Sequence, residues 1–198
     1  VPPVNYGTLN APISVAVGDL NRDGNADLAV ANYFGSNASI MLGNGDGTFG
    51  TQSDVTVGWN PYDVTLADLN SDGKLDMITA NSAQGVGVLM GNGFGGFAAM
   101  VQYPVNSGPN SVAVGDINGD GKLDIVTANS EFGGSVSVLL GDGAGSFGPH
   151  ISGGAGSGAI MARLGDLDND GDPDVAVANS GTSSTTVLMN SGGALSFS

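Results

Sequence analysis

The chain has 198 residues, 40% of them hydrophobic, enough for one domain with a substantial core and too apolar for a disordered acidic chain. Nineteen acidic residues against four basic ones give a formal charge of −15, which excludes the Lys/Arg patches that nucleic acid or an anionic membrane surface requires. Cysteine is absent, which excludes disulfides and thiolate metal sites, and no apolar run approaches the roughly 18–20 residues of a membrane-spanning helix.

In chain order, PVNYG (3–7) reads as a short strand and SVAVGDL (14–20) as a second one that enters the acidic stretch DLNRDGNAD (19–27). DLAVAN (27–32) leaves that stretch, SIMLG (39–43) follows a short turn, and DVTVG (54–58) follows the turn NGDGTF (44–49). Each run is rich in Val, Ile, Leu and Ala and bounded by Gly, Asn or Asp, the pattern of strands joined by tight turns. Thirty-five glycines and the lack of a 3.6-residue periodicity disfavour helix.

The unit then recurs three times. The first aspartate of the acidic stretch stands at Asp19, Asp68, Asp116 and Asp166, and Phe49, Phe97, Phe147 and Phe197 keep a similar step. Ala31-Asn32, Ala80-Asn81, Ala128-Asn129 and Ala178-Asn179 close the strand after each loop. Four antiparallel strands per unit at a period of about 40–50 residues predict an all-β propeller. Its single domain spans 1–198, with blades over about 13–58, 62–105, 110–154, and 160–198 plus 3–7. The strands of a unit are called a to d here, with the acidic loop between a and b. Because the chain opens in the d phase and ends where a fourth d strand would begin, the N-terminal strand is expected to complete the last blade, in its own molecule or in another.

The loops follow D-x-[DN]-x-D-G-x-x-D. Hard cations with six to eight oxygen ligands, Ca²⁺ above all, take side-chain oxygens from alternate loop positions plus one carbonyl. The expected ligands are Asp19, Asn21, Asp23, the Asn25 carbonyl and Asp27; then Asp68, Asn70, Asp72, the Lys74 carbonyl and Asp76. The third loop offers Asp116, Asn118, Asp120, the Lys122 carbonyl and Asp124, and the fourth Asp166, Asp168, Asp170, the Asp172 carbonyl and Asp174. One such stretch reads as a turn; four with the same spacing point to about four Ca²⁺ ions. The closing acid is ninth and the flanks are strands, which excludes an EF-hand.

These repeats resemble the FG-GAP, or VCBS, repeats of integrin α-subunits and bacterial surface proteins. Phe49-Gly50 and Phe147-Gly148 match the FG element, whereas Phe97-Ala98 and Phe197-Ser198 depart from it. Asn10-Ala11-Pro12, Asn60-Pro61 and Gly108-Pro109 stand where GAP would, and Gly158-Ala159 lacks the proline. The resemblance implies calcium-bearing propeller blades, usually seven to a ring, with ligands docking on the loop face opposite the calcium loops.

Fourteen of the nineteen acids lie in the four loops, and the five left, Asp46, Asp54, Asp63, Asp142 and Glu131, nominate no pair for glycosidase chemistry, so the chain reads as a non-enzyme. Trp59, Tyr33, Phe34 and Phe132 break the repeat at the d–a and b–c loops, the end opposite the acidic loops, and are the candidate ligand-binding residues. The expected function is an extracellular, secreted or cell-surface adhesion module that binds a glycan or protein ligand, with no nucleic-acid partner and no membrane insertion. The alternative is a structural subunit of a larger ring or filament built by self-association through the N-terminal strand. In a closed four-bladed ring, Asp63 and Arg163, both on inner strands, would be able to pair across the axis.

Overall fold

Fifteen strands in four antiparallel sheets make up the computed structural model, which describes residues 3–191. The first sheet is β1 (Pro12–Gly18), β2 (Asp27–Asn32), β3 (Asn37–Met41) and β4 (Ser53–Thr56), paired in that order. The second is β5 (Pro61–Ala67), β6 (Asp76–Asn81), β7 (Gly85–Leu89) and β8 (Val101–Tyr103). The third is β9 (Pro109–Gly115), β10 (Asp124–Asn129), β11 (Ser135–Leu139) and β12 (Ile151–Gly154). The fourth has three strands among the described residues, β13 (Ala159–Gly165), β14 (Asp174–Asn179) and β15 (Ser184–Leu188). Each sheet is an up-and-down meander, the form of a propeller blade.

The blades stack face to face. Leu20, Ala31 and Ile40 of blade 1 pack with Val64, Met77 and Leu89 of blade 2. Ile78, Val86 and Val88 on the other face of blade 2 pack with Val112, Ile125 and Leu139 of blade 3. Val126, Val136 and Val138 then meet Ala162, Val175 and Val177 of blade 4. The middle strands β6 and β10 are buried along their whole length because both faces are covered, which is why they lack a polar-apolar alternation.

A second device joins the blades at the inner strands. The Val64 N–H donates to Ser14 Oγ (3.4 Å), the Val112 N–H to Asp63 Oδ2 (3.1 Å) and the Ala162 N–H to Ser111 Oγ (2.9 Å). Ser14, Asp63 and Ser111 are equivalent positions, so each inner strand offers one oxygen to the next. In blade 4 the equivalent residue is Met161, which has no such oxygen.

Among the described residues, no core cluster joins blades 4 and 1. Val15 is 57% exposed, whereas its counterparts Val64 and Val112 are 4% and 3% exposed beneath the preceding blade. Met161, Val187 and Met189 are exposed on the far side of blade 4. The expected completion of the last blade by residues 3–7 is also not found: residues 3–11 contain no strand. Tyr6 instead packs edge-on against Phe49 (5.2 Å) and its hydroxyl accepts the Phe49 N–H (3.3 Å), tying this segment to blade 1. Phe197 and the strand expected at it lie outside the described residues.

Asp63 and Arg163 line one axial cavity of about 400 Å³ but make no ion pair. Asp63 is already engaged by the Ser14 hydroxyl (2.6 Å) and the N–H groups of Val64 and Val112, while Arg163 donates to the Ala162 carbonyl (2.9 Å). Saturation of Asp63 by neutral donors explains why the pair that a closed four-bladed ring would allow is not formed.

Candidate functional site

Each acidic loop connects the two inner strands of a blade, at the same end as the c–d turn. The fold gathers the first, third and fifth residues of each loop by wrapping backbone N–H groups around their oxygens. Asp19 accepts from the N–H groups of Asp23 (3.1 Å) and Gly24 (2.9 Å), Asn21 Oδ1 from Asp23 (3.1 Å), and Asp23 from Asn25 (2.8 Å). The same bonds recur at Asp68, Asn70 and Asp72, with Lys74 as the last donor, and at Asp116, Asn118 and Asp120, with Lys122. In the fourth loop Asn169 and Gly171 donate to Asp166, Asp170 to Asp168, and Asp172 to Asp170.

The sixth-position glycines Gly24, Gly73, Gly121 and Gly171 have φ of 86°, 77°, 81° and 98°, the left-handed region that favours glycine. The fourth position is left-handed as well, at Arg22, Ser71, Gly119 and Asn169. The repeat pattern did not expose this, because that residue varies in type.

The ninth residues are built differently from the others. Asp27, Asp76, Asp124 and Asp174 are completely buried. One oxygen of each accepts the N–H of the second loop residue (Leu20, Leu69, Ile117, Leu167) at 2.7–3.0 Å. The other accepts the N–H of Gly43, Gly91, Gly141 or Asn190, just beyond strand c, at 2.7–2.8 Å. These aspartates therefore staple the loop to the c–d turn, besides having lone pairs left for a cation. Burial, with the charges of Asp72 and Asp68 beside it, raises the Asp76 carboxyl above 3.8; Asp124 is raised likewise by burial and by Asp120 and Asp116.

Charge is not distributed equally among the loops. Lys74 Nζ lies 2.8 Å from Asp72 Oδ2 and Lys122 Nζ 3.3 Å from Asp120 Oδ2, so these lysines contribute side-chain cations as well as carbonyls. The fourth loop brings carboxylate oxygens of Asp166, Asp168 and Asp174 within 4.8 Å of one another. Desolvation and then the Asp170 charge raise the Asp168 carboxyl, the signature of crowded like charges. An all-oxygen donor set of this density fits a hard divalent cation rather than zinc or copper.

The opposite end carries the four candidate aromatics, while Phe94, 83% exposed, stands in the c–d turn at the acidic-loop end. Trp59 is 63% exposed, Phe34 73%, and Phe132 is fully exposed. Tyr33 is only half-buried and packs edge-on against both Phe34 (4.9 Å) and Tyr62 (5.1 Å). Tyr62 thus belongs to the same face, although its place at the start of β5 concealed it in the sequence. The Trp59 N–H donates to Gln84 Oε1 (2.9 Å), which fixes the tryptophan loop to the b–c loop of blade 2.

Comparison with known proteins agrees with this construction. The FG-GAP-like repeat pattern matches residues 19–79, 68–127 and 116–177, each match starting at the first aspartate of a loop and running through the next one. The chain belongs to the FG-GAP-like repeat family. These FG-GAP-like repeats fold as the solved structure of BBS1N in complex with ARL6DN does, with a TM-score of 0.61 at 16% identity over 96% of this chain and 56% of that one. The Vibrio cholerae biofilm matrix protein Bap1 is also similar, with a TM-score of 0.43 at 18% identity over 93% of this chain and 38% of that one. The chain therefore spans little more than half of the first structure and less of the second. No curated protein sequence matches it.

Proposed function

We propose that this chain is a calcium-binding, non-catalytic FG-GAP propeller segment of an extracellular adhesion module, engaging a glycan or protein ligand on the face opposite its acidic loops. The observation that carries the reading is the division of labour between the two ends. Four acidic, oxygen-lined loops occupy one end, and exposed Trp59, Phe34 and Phe132 occupy the other. When bound, calcium would supply charge neutralisation and cross-linking of each loop, held by the side-chain oxygens named above and the carbonyl of the seventh residue. The protein's own part is to hold those oxygens in place through the backbone donors and the ninth-position staples. The non-enzymatic reading rests on the commitment of the carboxylates to these loops and of His150 to Asn106 (3.2 Å).

The test is retention of beads coated with the protein on cellulose, chitin and gelatin surfaces in the presence of calcium. Retention on at least one surface, reduced by chelation and by Trp59→Ala or Phe132→Ala, is the expected result. Absence of retention on every surface overturns the reading.

A second reading, self-assembly through the N-terminal segment, is favoured by the two exposed apolar faces. Tyr6 packs on Phe49 as Tyr103 of β8 packs on Phe147 of the following blade (5.3 Å). Both tyrosines stand six residues before the proline that opens an inner strand, so residues 3–7 lie where the outer strand of a preceding blade would lie. A second copy presenting blade 4 to that position would cover Val15 and Val17.

A further inference from the structure

Between blades 2 and 3, on the aromatic face, lies a cavity of about 330 Å³, within the size range of small-molecule sites. Its wall includes Ser82, Gln84, Gln102, Asn106 and Ser107, with no charged residue. The corresponding corner between blades 1 and 2 is filled: Tyr33 and Tyr62 meet there at 5.1 Å. In the next blade pair Ser82 stands in the place of Tyr33 and Asn110 in the place of Tyr62, each following the same repeat landmark. Of these two, Ser82 lines the cavity, leaving open the space that a ring such as Tyr33 would take, whereas Asn110 Nδ2 donates to the Ala159 carbonyl (3.4 Å).

Its polar groups are held but not exhausted. Gln84 Oε1 accepts the Trp59 N–H (2.9 Å) and the Gln84 carbonyl accepts Gln102 Nε2. That orients both amides while Gln84 Nε2 and Gln102 Oε1 have no partner among the described residues. The hydroxyls of Ser82 and Ser107 are likewise uncommitted. Asn106, by contrast, is consumed: its Nδ2 donates to Ser135 Oγ (2.9 Å) and its Oδ1 meets His150 Nε2 (3.2 Å), so it shapes the wall and does not add a contact. Trp59, 63% exposed, adjoins this wall through the bond of its backbone N–H to Gln84.

We propose that this corner, with Trp59 as its stacking platform, is a subsite for an uncharged sugar residue of a glycan. The inference rests on the ligand-binding reading above and narrows it. Adjacent sugar hydroxyls each give and accept hydrogen bonds, and an amide donor beside an amide acceptor and hydroxyls matches that pairing. The apolar C–H face of a pyranose suits an exposed indole. Absence of charge in the wall disfavours acidic sugars, which the chain's −15 charge repels as well. A protein ligand would call instead for an apolar pocket at the centre of a contact area.

The test titrates the calcium-loaded protein calorimetrically with cellohexaose, chitohexaose and mannohexaose, and with oligogalacturonate as the charged comparison. Binding of at least one neutral hexasaccharide in preference to the charged one is expected. Trp59→Ala should weaken it roughly tenfold or more. Ser82→Tyr places at the cavity wall the ring that Tyr33 supplies at the first junction and should abolish binding with the melting temperature retained. Phe94→Ala, at the acidic-loop end, should change nothing. The proposal is overturned if no neutral hexasaccharide binds, if oligogalacturonate binds best, or if neither Trp59→Ala nor Ser82→Tyr weakens binding. Retention on gelatin that is lost in Phe132→Ala, without hexasaccharide binding, would sink this inference and leave the ligand-binding reading standing.

Discussion

Asp76 shows how one residue serves loop, turn and charge together. Both of its oxygens accept backbone N–H groups in a fully buried place, 3.0 Å from the nitrogen of Leu69 and 2.8 Å from that of Gly91. In Asp76→Asn the amide NH₂ must face one of those donors, leaving a buried N–H unpaired at a cost of about 1–3 kcal/mol. Urea unfolding in chelator measures that loss apart from any metal effect. The sign of the pH dependence also follows. Burial raises the folded Asp76 and Asp124 carboxyls above the unfolded value of 3.8, so in this window the metal-free folded state binds more protons than the unfolded one. Their ionisation costs stability as pH rises from 3.8 through the raised folded values. Asp23 acts in the opposite sense: the Asn25 N–H and then the Asn21 amide lower it, so its contribution is lost as pH falls below 3.8. Calcium competes with the protons on Asp76 and Asp124. The rise in melting temperature that it produces should therefore be largest near neutral pH and shrink as pH falls into that window, as thermal melts with and without calcium across pH would register.

At the scale of the element, the loop and the inner-strand bond make separable demands. A Cβ at Gly73 meets nothing within 4 Å, so Gly73→Ala costs only the left-handed backbone, about 1–2 kcal/mol. A Cβ at Gly91 would stand 2.1 Å from the Leu75 carbonyl oxygen, so Gly91→Ala must displace the loop and should destabilise the protein more than Gly73→Ala does in the same urea titration. For the inner strands, Ser14 and Ser111 already perform with a hydroxyl what Asp63 performs with a carboxylate. Asp63→Ser should accordingly be mild, and Asp63→Ala should cost about 1–3 kcal/mol by stranding the Val112 N–H. Coupling between Asp63→Ser and Arg163→Ala in a double-mutant cycle should be close to zero, because the two side chains bond to different partners. A large coupling would show that the charges meet across the axis in solution.

For the whole molecule, the proposed calcium and self-assembly would govern stability and size. Four Ca²⁺ ions would add eight positive charges and take the formal charge from −15 to −7. A ligand that binds only the folded state stabilises it by mass action, about 4 kcal/mol at a thousandfold excess over Kd for one site. Excess chelator should lower the melting temperature by several degrees or more, and an unchanged melt would remove calcium from the account. The fourth loop, with its three clustered carboxylates and no lysine, should keep its ion longest on chelator titration, and the lysine-neutralised second and third loops should lose theirs earlier. Assembly depends on the open faces. If second copies cover them, sedimentation should show a species larger than the monomer that Val15→Glu and removal of residues 1–8 each reduce. A monomer in both wild type and variants would dispose of the second reading.

Repetition made the acidic loops and the blades legible in the sequence. Asp19, Asp68, Asp116 and Asp166 recur with the same local spacing, and loop conformation depends on residues within nine positions of each other. Strand alternation and Gly-rich turns are equally local, so the four sheets could be read from short stretches. The staple role of Asp27, Asp76, Asp124 and Asp174 was not legible, because Gly43 and its counterparts come into reach only when strand c folds back. Nor was the cavity beside Gln84: Ser82 and Ser107 are unremarkable until the stacking of blades 2 and 3 puts them at one junction. Closure was decided by tertiary structure alone. Val15 is left uncovered while Val64 and Val112 are buried beneath the preceding blade, and Tyr6 seats on Phe49 of blade 1 because an edge-on aromatic contact and a hydrogen bond hold it there.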